Sequence, residues 1–297
     1  MNIVKRVIAK YNDSERGAFL FILPYIIFFT AFVAYPLIFS FILVFHRWNI
    51  VTPMEWIGPG NLIRLFQDDL FFKAVGNTLI FLVIHIPLQI VVALVFALLL
   101  YSKIKGRGFF RSVYFFPFVV SGVVVTIVWM QLYSYEDGVL NTIVMWFGFE
   151  RIPWLVHPSY AMPSIALMAT WKNVGLYIIL FLVGLQTIPS QLYEAANIDG
   201  ASKIRQFRHI TLPMLNPTIV VVFILSTIGG FSLFIEPYVM TGGGPMNSTL
   251  SAMLYIYNQA FNFSHMGYAA ALGLVFALII LMVVLFQRKV IETEAYS

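Results

Sequence analysis

The chain has 297 residues, 60% hydrophobic and only 10% charged, with mean hydropathy +0.87 and a net charge of +5. Ordinary soluble domains carry about 25% charged residues, so a water-soluble body of this size is excluded. Cys is absent, which excludes disulfides and thiolate metal sites.

A helix needs about 20 apolar residues to cross roughly 30 Å of hydrocarbon. Six stretches meet that requirement in chain order, at about 18–45, 74–101, 112–133, 161–187, 214–236 and 267–287. Strands of a membrane barrel would alternate in polarity over about 10 residues, and nothing here does. The expected fold class is therefore an all-α membrane protein with six transmembrane helices. The first apolar run, "GAFLFILPYIIFFTAFVAYP", is too long for a cleaved signal core and ends in no small-x-small site, so it is expected to stay as the first span.

Lys and Arg collect on the cytoplasmic side of membrane proteins. With the N-terminus inside, the inner segments hold Lys5, Arg6, Lys10, Arg16, Lys103, Lys105, Arg107, Arg111, Lys203, Arg205, Arg208, Arg288 and Lys289, which makes 13, and the outer loops hold Arg47, Arg64, Lys73 and Arg151, which makes 4. Both termini are therefore expected in the cytoplasm, with 1–17 and 289–297 as cytoplasmic ends and a six-span body over 18–288. The positive charge then reflects contact with anionic lipid headgroups, and no nucleic-acid partner is implied.

Few residues inside the spans carry chemistry. His85 and Gln89 sit one turn apart on the second span, a spacing that suits hydrogen bonds to a neighbouring helix, and one His is no zinc site. Lys172 lies about 11 residues, roughly 16 Å, into the fourth span, at 1.5 Å per residue. That is too deep to snorkel, so it must face a subunit interface, a wet cavity or an acidic partner. It is either a solute ligand or half of an interhelical ion pair holding two subunits together. Glu236, followed by Pro237, closes the fifth span and reads as an interfacial, exposed carboxylate, with the border of a cavity as the alternative. Trp48, Trp56, Trp154 and Tyr133 stand near span ends, where aromatic side chains anchor at the headgroups. "TGGGP", 241–245, reads as an outer loop, and no G-x4-G-K-[ST] phosphate cradle occurs in the chain.

The loop after the fourth span, about 26 residues from Thr187 to Leu212, is longer than a turn requires. In "IPSQLYEAANIDGASKIRQFRHITLP" Pro189 and Ser190 precede a helix-forming run, with Ser190 placed to cap it. Asp199–Gly200 marks a turn, and a second short helix runs to Pro213. Ala195 and Ala196 form a small face open to close approach, and Glu194 and Asp199 lie beside Lys203, Arg205 and Arg208. Such a hairpin is either an interfacial element serving topology or a docking handle for a cytosolic partner.

Glu194-Ala195-Ala196, Asp199-Gly200-Ala201, Phe207, Ile210 and Leu212-Pro213 stand in the register E-A-A-x-x-D-G-A-x5-F-x-x-I-x-L-P. This resembles the EAA loop of the membrane subunits of binding-protein-dependent ABC importers. "NTL" at 77–79, "GRGFFR" at 106–111 with Pro117 after it, "GVLN" at 138–141, "FLVGLQTIP" at 181–189, "TGGGP" and "YNQAF" at 257–261 are similar to the carbohydrate-uptake branch, of the maltose-F or glycerol-phosphate-A type.

The resemblance implies a type I ABC importer permease fold whose EAA helix is a coupling helix seated in a cytosolic ATPase. It implies a second paralogous permease, two copies of the ATPase, an extracytoplasmic solute-binding protein, and a bacterial or archaeal inner membrane. ATP and Mg would bind the ATPase and no cofactor this chain, which would have no catalytic site. In the coupling helix Glu194 would pair with a basic group, Gly200 allow the turn, and Ala195 and Ala196 permit close packing, with Asp199, Ala201, Leu212 and Pro213 completing the motif. Offsets from the motifs carry the family's substrate-contacting positions onto Asn173 and Leu176, and onto Ser232 and Leu233. Beside them stand Lys172, Tyr177, Phe231 and Glu236. The implied function is uptake of a sugar or oligosaccharide, with glycerol-3-phosphate or another phosphorylated polyol as the alternative, for which Lys172 would be the counter-ion. An ion-driven transporter should show inverted repeats and several intramembrane carboxylates, and a membrane enzyme a catalytic constellation; neither is present.

Overall fold

The computed structural model describes residues 21–101 and 106–295. The expected cytoplasmic segment 1–17 with Lys5, Arg6, Lys10 and Arg16, the first residues of the first span, Lys103, Lys105 and the last two residues of the tail lie outside the described residues. The described chain is helical apart from one two-stranded ribbon, and it divides into two compact units.

The first unit comprises the described residues up to Gln67 together with Gln259–Leu274. Its helix α1, Phe21–Leu43, is apolar all round and buries almost nothing within the protein, as suits a helix whose solvent is lipid. An antiparallel ribbon of β1, His46–Arg47, and β2, Glu55–Trp56, follows, with an Arg47–Glu55 ion pair at 3.3 Å, and then α2, Gly60–Phe66. The buried Asn61 donates to the carbonyls of Val44 and His46 at 2.8 and 2.9 Å. These are backbone acceptors that the chain's exit from α1 would otherwise leave unpaired. Gly267 packs so closely on this turn that a Cβ would stand 1.9 Å from the His46 carbonyl oxygen.

The second unit runs from Asp68 to Asn258 and resumes at Val275. It contains α3, Asp69–Tyr101, α4, Arg107–Val119, α5, Gly122–Leu132, α6, Val139–Trp146, and α7, Pro158–Gln186. A hairpin of α8, Ser190–Ile198, and α9, Lys203–Gln206, leads into α10, Asn216–Phe231, then α11, Ile235–Met240, α12, Ala252–Tyr257, and the last helix α13, Met266–Ala295, which enters this unit at Val275. The centre is α7, which packs on α3, α4 and α10. Its glycines permit that. A Cβ on Gly175 would lie 2.2 Å from the Tyr114 carbonyl oxygen of α4, and one on Gly184 would lie 2.4 Å from Thr218 Oγ1 of α10. Where lipid removes the hydrophobic drive between helices, such small residues supply the close packing instead. Thr78, Thr126, Thr170 and Thr227 return their hydroxyls to the carbonyl one turn back, so these buried polar groups need no distant partner.

Among the described residues five helices are long and apolar enough to cross a bilayer, at Phe21–Leu43, Asp69–Tyr101, Pro158–Gln186, Asn216–Met240 and Met266–Lys289. The segment expected as one helix over 112–133 differs: α4 and α5 meet at 97° and make a sixth span only as a broken pair. Val120 and Ser121 are extended, with ψ of 146° and 127°, and Pro117 has already removed one backbone donor from the end of α4. Hydropathy sums along the chain and is blind to a change in its direction.

Two of the expected membrane anchors, the buried Tyr133 and the half-buried Trp154, bond within the protein instead. Tyr133 is buried and donates to the Ser164 carbonyl at 2.9 Å. Trp154 Nε1 donates at 3.0 Å to Asn141 Oδ1, which also accepts from Ile152 N at 2.9 Å. Asn141 Nδ2 donates to the carbonyls of Tyr135 and Ile152 at 3.0 Å. The Asn of "GVLN" thus ties together the loop on either side of it.

The glycine-rich loop at 241–245 is similarly pinned. Asn77 of "NTL" donates to the carbonyls of Asn247 and Leu250 at 2.7 and 3.0 Å, and Thr78 Oγ1 accepts from Ala252 N at 3.0 Å. Thr249 donates to the Gly244 carbonyl at 2.7 Å. Gly242 and Gly243 take φ of 60° and 91°, which glycine adopts without steric cost.

Candidate functional site

Two regions hold the residues that the sequence singled out. The first is a cavity of about 300 Å³ among α3, α4, α7, α10 and α11. Lys172, Asn173 and Tyr177 enter it from α7 because positions i, i+1 and i+5 share a sector of a helix. Ser232, Leu233 and Glu236 enter from the break between α10 and α11. There Phe234 leaves helical geometry at φ −141°, ψ −56°, and this re-aims the chain so that Glu236 points back at α7.

Lys172 Nζ lies 3.5 Å from Glu236 Oε1, and the two side chains are 13% and 11% exposed. The acidic partner that the depth of Lys172 demanded is thus in the same chain. Glu236, expected as an exposed interfacial group, is instead only 8% exposed. The physical reason is mutual: a buried charge is tolerated only when paired, and each of these is the other's partner. Gly122, at the α4–α5 break, makes room for the pair, since a Cβ there would lie 2.8 Å from Lys172 Nζ.

The other polar groups on the wall divide into satisfied and open. His85 Nδ1 is bonded to Thr170 Oγ1 at 2.8 Å and its ring stacks on Phe81 at 4.8 Å. Gln89, one turn on and not itself on the wall, donates to Ser226 Oγ at 2.7 Å, while its Oε1 has no hydrogen-bond partner among the described residues. Both make the interhelical bonds that their spacing suggested. Asn173 and the Tyr177 hydroxyl, by contrast, have no hydrogen-bond partner among the described residues. Phe81, Phe118 and Tyr177 put aromatic side chains on the wall. Open amide and hydroxyl groups beside apolar rings fit a hydroxylated, ring-shaped solute.

Leu176 and Phe231 do not line this cavity. Leu176 packs against the apolar cluster of Ala97, Ile178 and Phe181, and Phe231 is buried edge-on against Phe276 at 5.7 Å. One residue along α10 is a turn of about 100°, which takes Phe231 off the wall that Gly230 lines. His85, Ser226, Gly229 and Gly230 are cavity residues that the sequence reading did not place there. They come from helices read for other features, and no local signal joins them to Lys172.

The second region is the hairpin at 189–213. Its cap is not Ser190: α8 begins at Ser190 after an extended Pro189, with no side-chain cap. Pro189, lacking an N–H and unable to continue a helix backward, marks the start by itself. The turn at Gly200 has φ of +71°, and Ala201 N donates to the Ala196 carbonyl at 2.8 Å, the glycine-ended helix stop that the Asp-Gly pair predicted. Ser202 caps the second helix by accepting from Arg205 N at 3.4 Å.

Two clips close the hairpin. Gln206 Nε2 donates to Asn197 Oδ1 at 2.7 Å and to the Ala201 carbonyl at 3.0 Å, and the Tyr193 and Thr211 hydroxyls meet at 2.8 Å. Glu194, Asp199, Lys203, Arg205 and Arg208 are all exposed and form no ion pair among the described residues. Ile198 and Ile204 are 86% and 79% exposed. Ala195 is exposed and Ala196 and Ala201 half-exposed, while Leu212 and Pro213 lie at the exposed start of the next span.

The sequence profile described as "Binding-protein-dependent transport system inner membrane component" matches residues 89–292. The chain is 36% identical over 287 residues to the probable ABC transporter permease protein YurN of Bacillus subtilis, covering 95% of this chain and 98% of that one. It is 38% identical over 277 residues to the lactose transport system permease protein LacF of Rhizobium radiobacter, covering 91% and 92%. Among solved structures it resembles a chain of a bacterial ABC transporter involved in import of the acidic polysaccharide alginate, with a TM-score of 0.80 and 26% identity over 96% of this chain and 99% of that one. A second structure of the alginate transporter, in complex with an alginate pentasaccharide-bound periplasmic protein, gives a TM-score of 0.81 at 25% identity, over 96% and 98%.

Proposed function

Because the chain belongs to the family of binding-protein-dependent transport system inner membrane components, we propose that it is a permease subunit of an ATP-driven importer for a sugar or oligosaccharide. A solute-binding protein delivers the solute from outside, a second related permease completes the path, and two copies of a cytosolic ATPase bind ATP and Mg and do the chemical work. Both termini lie in the cytoplasm, with the hairpin at 189–213 on that face.

The observation that carries this reading is the hairpin. It is an ordered polar element closed by its own hydrogen bonds, yet it leaves two isoleucines and five charged groups uncovered. A large apolar side chain and unpaired charges left facing water together suit a surface completed by a partner. Glu194 pairs with a basic group on the ATPase, and the alanines admit it closely. A rigid handle of this kind lets nucleotide-driven closure bias the spans between two arrangements.

Relatives named for lactose and a structural neighbour named for alginate support a carbohydrate as cargo. The cavity at Lys172, Asn173, Tyr177, Ser232, Leu233 and Glu236 is the solute's path. A phosphorylated polyol would use Lys172 as its counter-ion, a role that Glu236 already occupies. The test is uptake by the complex, purified with its partner subunits and reconstituted in vesicles with the solute-binding protein. Accumulation of a labelled saccharide only with internal ATP is expected; accumulation without ATP would overturn the assignment.

A further inference from the structure

The sugar-importer reading leaves the charge of the solute open, and the cavity bears on that. Among its lining residues Lys172 and Glu236 are opposite formal charges that cancel. Their separation of 3.5 Å exceeds the roughly 2.7–2.9 Å of a closed charge-assisted hydrogen bond. An ammonium has three donors and a carboxylate about four acceptor sites, and this pair spends one of each on the other. The second Glu236 oxygen, the Asn173 amide and the Tyr177 hydroxyl have no hydrogen-bond partner among the described residues, Lys172 keeps donors beyond the one spent on Glu236, and all four residues line the cavity.

Resting on that importer reading, we infer that Lys172 and Glu236 are a charge-neutral hydroxyl clamp, which makes the cavity a site for uncharged polyhydroxylated solutes and rejects those bearing phosphate, sulfonate or carboxylate. A hydroxyl both donates and accepts. One hydroxyl bridging the pair, or two on adjacent carbons, satisfies donor and acceptor together without separating the charges. An anionic group satisfies only Lys172. It gives Glu236 no donor and sets a second negative charge beside that buried carboxylate, where low dielectric strengthens the repulsion. Gly122 leaves room for the ammonium, since a Cβ there would lie 2.8 Å from Lys172 Nζ.

The experiment uses the purified membrane complex with its ATPase but without the solute-binding protein, so that the cavity alone selects. Labelled maltose and lactose are displaced by the unlabelled sugars or by their aldonic acids, maltobionate and lactobionate, which differ by one carboxylate. Wild type is expected to bind a neutral sugar at least about tenfold more tightly than its acid, since the acid leaves a buried group unsatisfied. Glu236→Gln removes the negative member, and the ratio should fall by about tenfold or reverse. The exchange Lys172→Glu with Glu236→Lys should restore it, guarding against a variant that merely folds poorly.

A ratio unchanged in Glu236→Gln would overturn the clamp, because a purely structural ion pair would weaken both ligands alike. So would a wild type that binds neither sugar, or that binds the acid as tightly as the sugar. ATP-driven uptake alongside either result would leave the importer standing and remove only the clamp.

Discussion

The hairpin at 189–213 and the cavity around Lys172 hold charged groups under opposite rules. The hairpin gathers Glu194, Asp199, Lys203, Arg205 and Arg208 within a few residues of sequence, and none pairs with another. The cavity brings together Lys172 and Glu236 from 64 residues apart, and they pair. Exposed ion pairs gain little in water, so nothing forces the hairpin's charges together. Charges inside a span have no such freedom, and one without a partner is expensive. The exposed region is therefore local in sequence, and the buried one is assembled from distant segments whose charges pair.

Substitutions can break or sharpen this contrast. The largest effect belongs to the assembled region: Gly175→Val drives a side chain into the Tyr114 carbonyl oxygen, 2.2 Å from the first added carbon. It should cost about 3 kcal/mol and abolish a monodisperse peak on size-exclusion of the purified complex. A normal peak would show that the α4–α7 contact does not hold the cavity together.

Next comes the hairpin, where function and fold should separate. Glu194→Lys and Gly200→Asp are expected to leave the protein inserted while lowering uptake more than about tenfold and loosening the ATPase, as a misplaced charge at a polar interface does. Normal uptake with ATPase still co-purifying would make the hairpin a topological element only.

A smaller effect is expected at the hairpin's internal clip. Gln206→Leu removes the bonds to Asn197 and Ala201 and should destabilise the turn by about 1–2 kcal/mol. Hydrogen exchange at 197–206 would rise with little change elsewhere. The smallest belongs to Gly229→Ala. This residue lines the cavity, yet nothing lies within 4 Å of an added Cβ. Thermal stability should stay within about 0.5 kcal/mol, and a larger loss would mean the cavity wall is tighter than drawn.

The sequence made much of this readable, for reasons that differ between the regions. Apolar length located the spans, and Pro189, Asp199 and Gly200 located the hairpin, because helix starts and stops are decided by the residues present there. Ser190 was read as a cap, a role the extended Pro189 made unnecessary. In the cavity Lys172 announced its need for an acid by its depth, Asn173, Ser232 and Leu233 were reached by offset from motifs, and Tyr177 was named as an aromatic neighbour of those positions. Nothing adjacent in sequence, however, said that Glu236 was the acid or that His85 and Ser226 shared the wall. Leu176, reached by offset, and Phe231, named beside the offset positions, pack away from the walls of this cavity.

Composition, spacing and the placement of Pro and Gly were enough to determine that this is a helical membrane protein and where the hairpin at 189–213 starts and turns. Those properties depend on each segment's own transfer free energy and backbone preference. The tertiary structure alone decided that α4 and α5 meet at 97°, that Tyr133 and Trp154 turn inward, and that Lys172 and Glu236 neutralise each other. Each of these depends on a contact between distant segments, and only packing selects which distant segments meet.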